Sequence, residues 1–245
     1  MYLHLVDIGT VLGSAGAFKL VNATLGRLPI PRAVAKKDPW RWRNISTSLI
    51  HSTLTGAWAV LSFYLHPEMA EDLISTHSAF SHTLVSVSTG YFVYDFMDMV
   101  LNQTFSANWE LLLHHTVVIS CFGIAVLRRQ FVGFAVVALL VELNSVFLHL
   151  RQLLRISGAA TRGALYRLNS TLTLGSFLAF RFSTLGFMAR WLLLHRGRVS
   201  TPFYITGATG LSAVMVMNLV LFYRLVDSDY IRAGRERGRK ENGPE

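Results

Sequence analysis

Six ionisable side chains lie within stretches of this sequence that are apolar enough to cross a bilayer: Asp95, Asp98, His114, His115, Glu142 and Arg181. An ionisable group at that depth costs roughly 2.5–3.5 kcal/mol on the most lenient scale, so it usually faces the interior of a helical bundle and marks a substrate, ion or proton path. A histidine near an aspartate can take a proton from a hydroxyl or amine, because the carboxylate orients the imidazole. These residue types predict a polar chamber inside a membrane protein.

The composition indicates a single integral membrane domain. Of the 245 residues, 52% are hydrophobic and 15% are charged, whereas about 25% are charged in an average soluble domain. The formal net charge of +9 comes from basic residues between the apolar runs and at the C-terminus, where anionic lipid head groups attract them. No stacking platform or reading motif accompanies this charge, so we expect no nucleic-acid partner.

Seven apolar runs predict an all-α fold, a multi-pass transmembrane helical bundle of about seven spans, because backbone polar groups in lipid must bond within their own helix. The runs cover residues 3–25, 45–65, 81–101, 111–127, 131–150, 168–194 and 203–223. The first run is the weakest, since it contains Asp7 and Lys19. We divide the chain into an N-terminal span and connector (1–39), a transmembrane domain (40–226) and a disordered cytosolic tail (227–245).

The distribution of Lys and Arg predicts the orientation of this bundle. If successive loops alternate sides, 16 of these residues lie on the side of the C-terminus and four lie on the other side. Cytosolic loops carry the excess of Lys and Arg, so we expect a cytosolic C-terminus and an N-terminus outside or in the lumen.

This orientation brings the polar residues to one depth, in the cytosolic half of the bundle. Asp95 and Asp98 are three residues apart near the end of the third run, so they share a helix face. His114 and His115 begin the fourth run, which a short loop joins to the third. The same half holds six further side chains that we predict to bind lipid or substrate: His51, Tyr91, Tyr94, Glu142, Asn144 and Arg181. Arg181 and Glu142 are predicted to form a buried ion pair or a receptor for a lipid phosphate.

Three interpretations of the Asp and His residues compete. The first is general acid–base catalysis, with a histidine as base and an aspartate as its orienting group. The second is a metal site, since two Asp and two His are plausible ligands for zinc or iron. Adjacent histidines point about 100° apart on a helix, which disfavours a shared metal, so we predict none. The third is a polar clamp that fixes helix packing.

Five segments together resemble the TLC domain family. They are Trp40-Arg-Trp-Arg-Asn44, Gly90-Tyr-Phe-Val-Tyr-Asp95, Trp109-Glu-Leu-Leu-Leu-His-His115, Leu139-Leu-Val-Glu-Leu-Asn144 and Phe177-Leu-Ala-Phe-Arg181. The resemblance covers about residues 40–225, and the ordered combination carries it. The family includes the ceramide synthases, which transfer a fatty acyl group from acyl-CoA to a sphingoid amine on the cytosolic side of a membrane.

The resemblance implies roles for particular residues. His114 and His115 match the paired histidines that the family's enzymes carry. Glu142 and Asn144 stand in the region where ceramide synthases carry their His-Asp element and second Asp, and this departure argues against ceramide synthesis. The members most similar to this chain are associated with the fatty-acyl composition of phospholipids and with membrane fluidity, limiting polyunsaturated species, at the plasma membrane. The endoplasmic reticulum is the alternative location.

Two functional hypotheses follow from the residues and the resemblance together. The first is an acyltransferase that acts on membrane phospholipids with acyl-CoA as co-substrate and without a tightly bound cofactor. His114 or His115 is then the base, Asp95 or Asp98 orients it, and Arg181 steadies a carbonyl or phosphate. The second is a non-catalytic lipid-binding regulator, or a partner of a lipid-modifying enzyme, in which the same residues hold a head group.

Overall fold

Long helices build the protein, as the sequence predicts. The computed structural model describes residues 2–30, 34, 38–158 and 163–231, and within them the chain forms helices and short turns without a strand. In chain order the helices are α1 (Tyr2–Leu25), α2 (Pro39–Leu65), α3 (Ala79–Asn102), α4 (Phe105–Arg128), α5 (Val132–Leu139), α6 (Glu142–Ile156), α7 (Ala164–Ser176), α8 (Ser183–Leu194) and α9 (Thr201–Val226).

Some of these helices join into longer rods. Helices α5 and α6 form one rod, Val132–Ile156, and α7 and α8 form another, Ala164–Leu194, through a π-helical turn at Phe177–Phe182. The described residues therefore make seven rods, each close to one of the seven predicted runs. The all-α, multi-pass prediction is confirmed.

Five of the seven rods are long and apolar enough to cross a membrane: α1, α4, the α5–α6 rod, the α7–α8 rod and α9. Helices α2 and α3 have 27 and 24 residues, and about 20 residues span a bilayer. Polar side chains such as Asn44, Asp95 and Asp98 lower their hydropathy. These two helices carry polar groups inside the bundle.

Local capping signals fix where the two polar helices begin. The Asp38 carboxylate accepts a hydrogen bond from the backbone nitrogen of Arg41 at 2.9 Å, and Pro39 occupies the first turn of α2. Ser78 and Ser81 form a reciprocal capping box at the start of α3. Such caps satisfy backbone N–H groups that a helix leaves unpaired at its N-terminus.

Helix α1 belongs to the bundle and packs along α3. Gly90 lets the two backbones approach, since a Cβ there would overlap the carbonyl oxygen of Val11 and the side chain of Ser14. Ser14 Oγ also donates to the Val87 carbonyl at 2.7 Å. Arg129, which follows α4, donates two hydrogen bonds of 3.1 and 2.8 Å to Asp7 of α1. The pair compensates the charge of Asp7.

The last rod extends further than predicted. Helical structure continues from α9 through a π-helical turn at Asp227–Ile231, so the prediction of a disordered tail from residue 227 is wrong for these five residues. Asp229 accepts hydrogen bonds from Arg151, Tyr166 and Ser170, which draws the chain onto α6 and α7. The remainder of the predicted tail, 232–245, lies outside the described residues.

Candidate functional site

The first polar centre lies between α2, α3 and α4. The Asp95 carboxylate is buried and accepts a hydrogen bond from Asn44 Nδ2 at 2.6 Å. Its other oxygen lies 3.0 Å from His115 Nε2, at ion-pair distance although off the line of a hydrogen bond. The structure thus joins Asp95 and His115, which the sequence placed at the same depth on adjacent helices.

Both nitrogens of His115 face acceptors inside the protein. His115 Nδ1 lies 2.7 Å from the Leu111 carbonyl oxygen, and Nε2 lies beside the Asp95 carboxylate. A ring nitrogen that meets a carbonyl must carry a proton. Neither nitrogen of His115 is therefore directed at a substrate.

Asp98 completes the same centre from the next turn of α3. One of its oxygens accepts from Trp40 Nε1 at 3.0 Å and from Asn44 Nδ2 at 3.2 Å, and the other accepts from Asn102 Nδ2 at 3.1 Å. Asp98 does not meet a histidine. We call Trp40, Asn44, Asp95, Asp98 and His115 the closed network, because their polar atoms face groups of the protein and none of the five lines the cavity described next.

Aromatic side chains cover the closed network toward the middle of the bundle. The rings of His51 and Tyr91 stack with centroids 3.7 Å apart, and the Tyr91 hydroxyl donates to Ser48 Oγ at 2.9 Å. Phe18 of α1 packs edge-on against both rings. Tyr94 is buried in the same hydrophobic core. His51 and the two tyrosines, predicted to bind lipid, therefore lie in a packed region.

The second polar centre lies at one end of a cavity of about 160 Å³. Helices α4, α5, α6, α8 and α9 line it, and its polar residues include His114, Glu142, Arg181 and Asn218. Away from this polar end the walls are apolar. The apolar arm is defined by Phe122, Phe134, Met188, Trp191, Phe203 and Leu211.

Arg181 dominates the polar end. Its Nε donates to Asn144 Oδ1, one terminal nitrogen donates to Asn218 Oδ1, and the other donates to Ser145 Oγ, each at 2.7 Å. All three partners are neutral. The predicted ion pair between Arg181 and Glu142 is not formed, because neutral oxygens on α6 and α9 hold the guanidinium instead.

Glu142 and Asn144 have different roles at this end. The buried Glu142 accepts a hydrogen bond from Ser52 Oγ at 2.6 Å and keeps a place on the cavity wall. Asn144 is fully buried and donates to the Thr173 carbonyl at 2.9 Å and to Ser176 Oγ at 2.8 Å. Asn144 therefore positions Arg181, whereas Glu142 can meet an occupant.

His114 points into the cavity, away from its neighbour. The His114 and His115 rings are nearly perpendicular, and no described residue hydrogen-bonds to the His114 ring. Glu110, one turn earlier, pairs with Arg224 at 2.7 and 2.8 Å instead of reaching His114. The two adjacent histidines therefore serve two separate centres.

Helix irregularities present the charged residues of the cavity. Between α5 and α6, Leu140 and Val141 donate to carbonyls three residues earlier, and Glu142 starts the new helix. Arg181 lies in the π-helical turn at Phe177–Phe182. Single-turn π segments occur frequently at functional sites. No pattern of residue types in the sequence marks either irregularity.

Other features of the site are simpler. Among the described residues, no group of three or more His, Cys, Asp or Glu side chains is arranged to hold a metal ion. Sequence reasoning missed Trp40 and Asn44 as partners of the aspartates. A signal was present, since Asn44 directly precedes the apolar run 45–65, where a polar amide needs a partner.

Known proteins give a consistent comparison. TLC domain-containing protein 2 of Danio rerio is 57% identical over 237 residues, which are 96% of this chain and 96% of that protein. The human protein of the same name is 40% identical over 93% of this chain and 90% of its own length. TLC domain-containing protein 1 of Rattus norvegicus is 32% identical over 90% of this chain and 89% of its own length. No solved structure matches.

The match to the family covers the part of the chain that builds both polar centres. The profile of the TLC domain aligns with residues 41–227, which include all of the closed network except Trp40 and every lining residue of the cavity. The chain is an integral membrane protein that belongs to the TLC domain family.

Proposed function

We propose that the protein binds acyl lipids in the cavity and controls the fatty-acyl composition of membrane phospholipids, limiting polyunsaturated species and so adjusting membrane fluidity. The single observation that carries this proposal is the gradient along the cavity, from His114, Glu142 and Arg181 at one end to an apolar arm at the other. A ligand with one polar end and one hydrocarbon chain fits that gradient, because pockets orient ligands with few polar groups and bind them with apolar walls. We place the polar end toward the cytosol and the protein in the plasma membrane.

Acyl transfer from acyl-CoA is the reaction that we propose at the polar end. His114 takes the proton of an acceptor hydroxyl or amine as that oxygen or nitrogen attacks the acyl carbonyl carbon. The two N–H groups that Arg181 does not use internally stabilise the negative charge that develops on the carbonyl oxygen. The bond from that carbon to sulfur then breaks, and the CoA thiol leaves with the proton that His114 held.

In this mechanism the closed network has a positioning role. Asp95 and Asp98 accept hydrogen bonds from α2, and His115 on α4 meets Asp95. Together they fix the start of α4, which carries His114. The sequence assigned catalytic roles to Asp95, Asp98, His114 and His115. In our proposal only His114 of these four contacts the substrate.

A specific observation favours a second candidate, the lipid-binding regulator. No described carboxylate hydrogen-bonds or ion-pairs with His114, the histidine that faces the cavity. Both nitrogens of His115, the histidine beside a carboxylate, face groups of the protein. An acid–base dyad needs both features on one ring. A regulator or partner of an acyltransferase needs only the cavity and its polar end.

Label transfer separates the two candidates. The purified full chain receives radiolabelled acyl-CoA and a total membrane lipid extract, and H114Q and H115Q are compared with the wild type. His66→Gln is the matched control, because His66 lies outside both polar centres and its nearest polar partner is Glu68. Acyl transfer predicts labelled lipid with the wild type and H66Q, and a loss of about 10²–10⁴-fold with H114Q.

The opposite outcome is equally informative. If folded wild-type protein that binds lipid transfers no label, acyl transfer is wrong and the regulator stands. If H114Q transfers label at the wild-type rate, His114 is not the base. Either result leaves the proposed control of acyl composition to be measured separately, as the share of polyunsaturated phospholipids in cells with and without the protein.

A further inference from the structure

The polar end of the cavity offers both donors and an acceptor. A guanidinium has five N–H donors, and Arg181 uses three of them on Asn144, Ser145 and Asn218. Two donors are left for an occupant. Glu142 accepts from Ser52 through one oxygen, and no described residue donates to its other oxygen. An occupant that fills this end therefore presents an acceptor to Arg181 and a donor to Glu142.

The charges at this end already balance. Arg181 and Glu142 carry one charge each and line the same cavity without forming an ion pair. A head with a carboxylate would bring a second negative charge beside Glu142, and an uncompensated charge in a buried site is costly. A neutral ester with a neighbouring hydroxyl supplies an acceptor and a donor without changing the balance.

The dimensions of the cavity suit one chain. Its wall on α4 runs from His114 to Ile124, a rise of roughly 15 Å at 1.5 Å per residue. About 160 Å³ spread over that length describes a narrow passage. It has no room for two hydrocarbon chains side by side.

A second recess lies further along α6 and α9. Arg151 and Arg155 of α6 and Arg224 of α9 line it, together with Asp227. It begins at Leu221, one turn beyond Asn218 on α9. Arg155 is exposed and has no hydrogen-bond or ion-pair partner among the described residues. Arginine binds phosphate through parallel N–H groups, so we call this the arginine recess.

We infer that the cavity and the arginine recess together bind a monoacyl glycerophospholipid. Its chain lies in the apolar arm, its ester oxygen meets Arg181, its free hydroxyl donates to Glu142, and its phosphate extends toward the arginine recess. The order of the groups in such a lipid, chain then ester and hydroxyl then phosphate, matches the order of the walls. This inference rests on the proposed function in one respect, that the cavity holds an acyl lipid.

The chain contains a single cysteine, Cys121, and it lines the cavity. Its rate of alkylation by N-ethylmaleimide therefore reports whether the cavity is filled. The full chain is reconstituted in nanodiscs of dioleoyl phosphatidylcholine, and the added compounds are monooleoyl glycerophosphocholine and oleic acid. The nanodisc itself supplies the diacyl lipid of the same chain.

We expect the monoacyl lipid to slow the alkylation of Cys121 about tenfold at ten times its Kd, and oleic acid to leave the rate unchanged. E142Q, which keeps the side-chain shape and an acceptor for Ser52, should raise the Kd of the monoacyl lipid and let oleic acid protect. Arg155→Gln should weaken the binding of the monoacyl lipid and leave the effect of oleic acid unchanged. Arg190→Gln is the matched control, because Arg190 is exposed on α8 and lines neither cavity nor recess.

Three outcomes overturn the inference. Equal protection by oleic acid in the wild type would mean that the head is recognised as a carboxylate. Protection that E142Q and R155Q leave unchanged would mean that the chain alone is bound. Both of these results leave the proposed function intact. Absence of protection by any added lipid would remove the lipid cavity itself and the proposed function with it.

Discussion

The two polar centres contain the same kinds of residue and differ in what their atoms meet. In the closed network, the oxygens of Asp95 and Asp98 and both nitrogens of His115 face groups of the protein. At the polar end of the cavity, His114 has no partner among the described residues and Arg181 keeps two unused donors. The first arrangement holds helices together, and the second is ready for a ligand.

This difference shows why residue type alone does not identify a site. His114 and His115 are adjacent in sequence, and about 100° of helix rotation separates the directions of their side chains. The closed network resembles an acid–base dyad in composition, yet its polar atoms face groups of the protein, which makes it a clamp. The unsatisfied atoms of the cavity are the ones that carry a functional prediction.

The largest expected effect on stability tests the closed network. Asp95→Ala removes the partner of both Asn44 and His115, so a buried cation or an unpaired imidazole is left behind. Breaking a buried pair in this way costs roughly 3–5 kcal/mol. E142Q, at the polar end of the cavity, should cost about 1 kcal/mol or less, since Gln still accepts from Ser52. Unfolding in detergent, followed by circular dichroism, compares the two variants.

Asp95→Asn sharpens that comparison. Its amide oxygen can accept from Asn44 and its N–H group can donate to a neutral His115, so it should recover part of the loss seen with D95A. If D95A and E142Q were equally destabilising, the distinction between a clamp and a ligand site would fail.

Much of the fold follows from the sequence. Each of the seven apolar runs forms one rod. A run of about 20 apolar residues in lipid forms a helix, because its backbone polar groups must bond within the segment. The convergence of Asp95 and His115 also follows from the sequence. A short loop makes α3 and α4 neighbours, and the two residues lie at the same depth in their apolar runs. Their contact at 3.0 Å is what that reasoning anticipated.

The partner of each polar atom does not follow from the sequence. Arg181 bonds to Asn144, Ser145 and Asn218 of α6 and α9, whereas Glu142 of α6 accepts from Ser52 of α2. The two histidines diverge because one residue is about 100° of helix rotation. These choices depend on local backbone geometry and on distant helices, and hydropathy patterns record neither.

A smaller effect is expected where α1 covers the closed network. Gly90→Ala places a methyl group against the carbonyl oxygen of Val11 and the side chain of Ser14. Overpacking of this kind costs typically about 1–3 kcal/mol. Gly13→Ala on α1 is the matched control, because no atom lies within 4 Å of a Cβ at that position. The thermal midpoint should fall with G90A and hold with G13A.

If G90A left the thermal midpoint unchanged, α1 would not pack tightly against α3 beside the closed network. The label-transfer rate separates a packing effect of G90A from an effect on the cavity. Phe18 of α1 contacts the His51–Tyr91 stack and lines no part of the cavity. Transfer by the folded fraction of G90A should therefore match the wild type.

The smallest expected effect concerns an exposed ion pair beside the arginine recess, which Arg224 lines. Glu110 and Arg224 join α4 to α9, but the side chains are 40% and 59% exposed. Exposed ion pairs contribute about 0–1 kcal/mol and weaken with salt. Glu110→Gln should thus change the free energy of unfolding by less than about 1 kcal/mol, and less still at high ionic strength. A loss of unfolding free energy as large as that of D95A, and independent of salt, would contradict this prediction. It would mean that Glu110 and Arg224 form a buried clamp like the closed network, since only desolvated pairs escape screening.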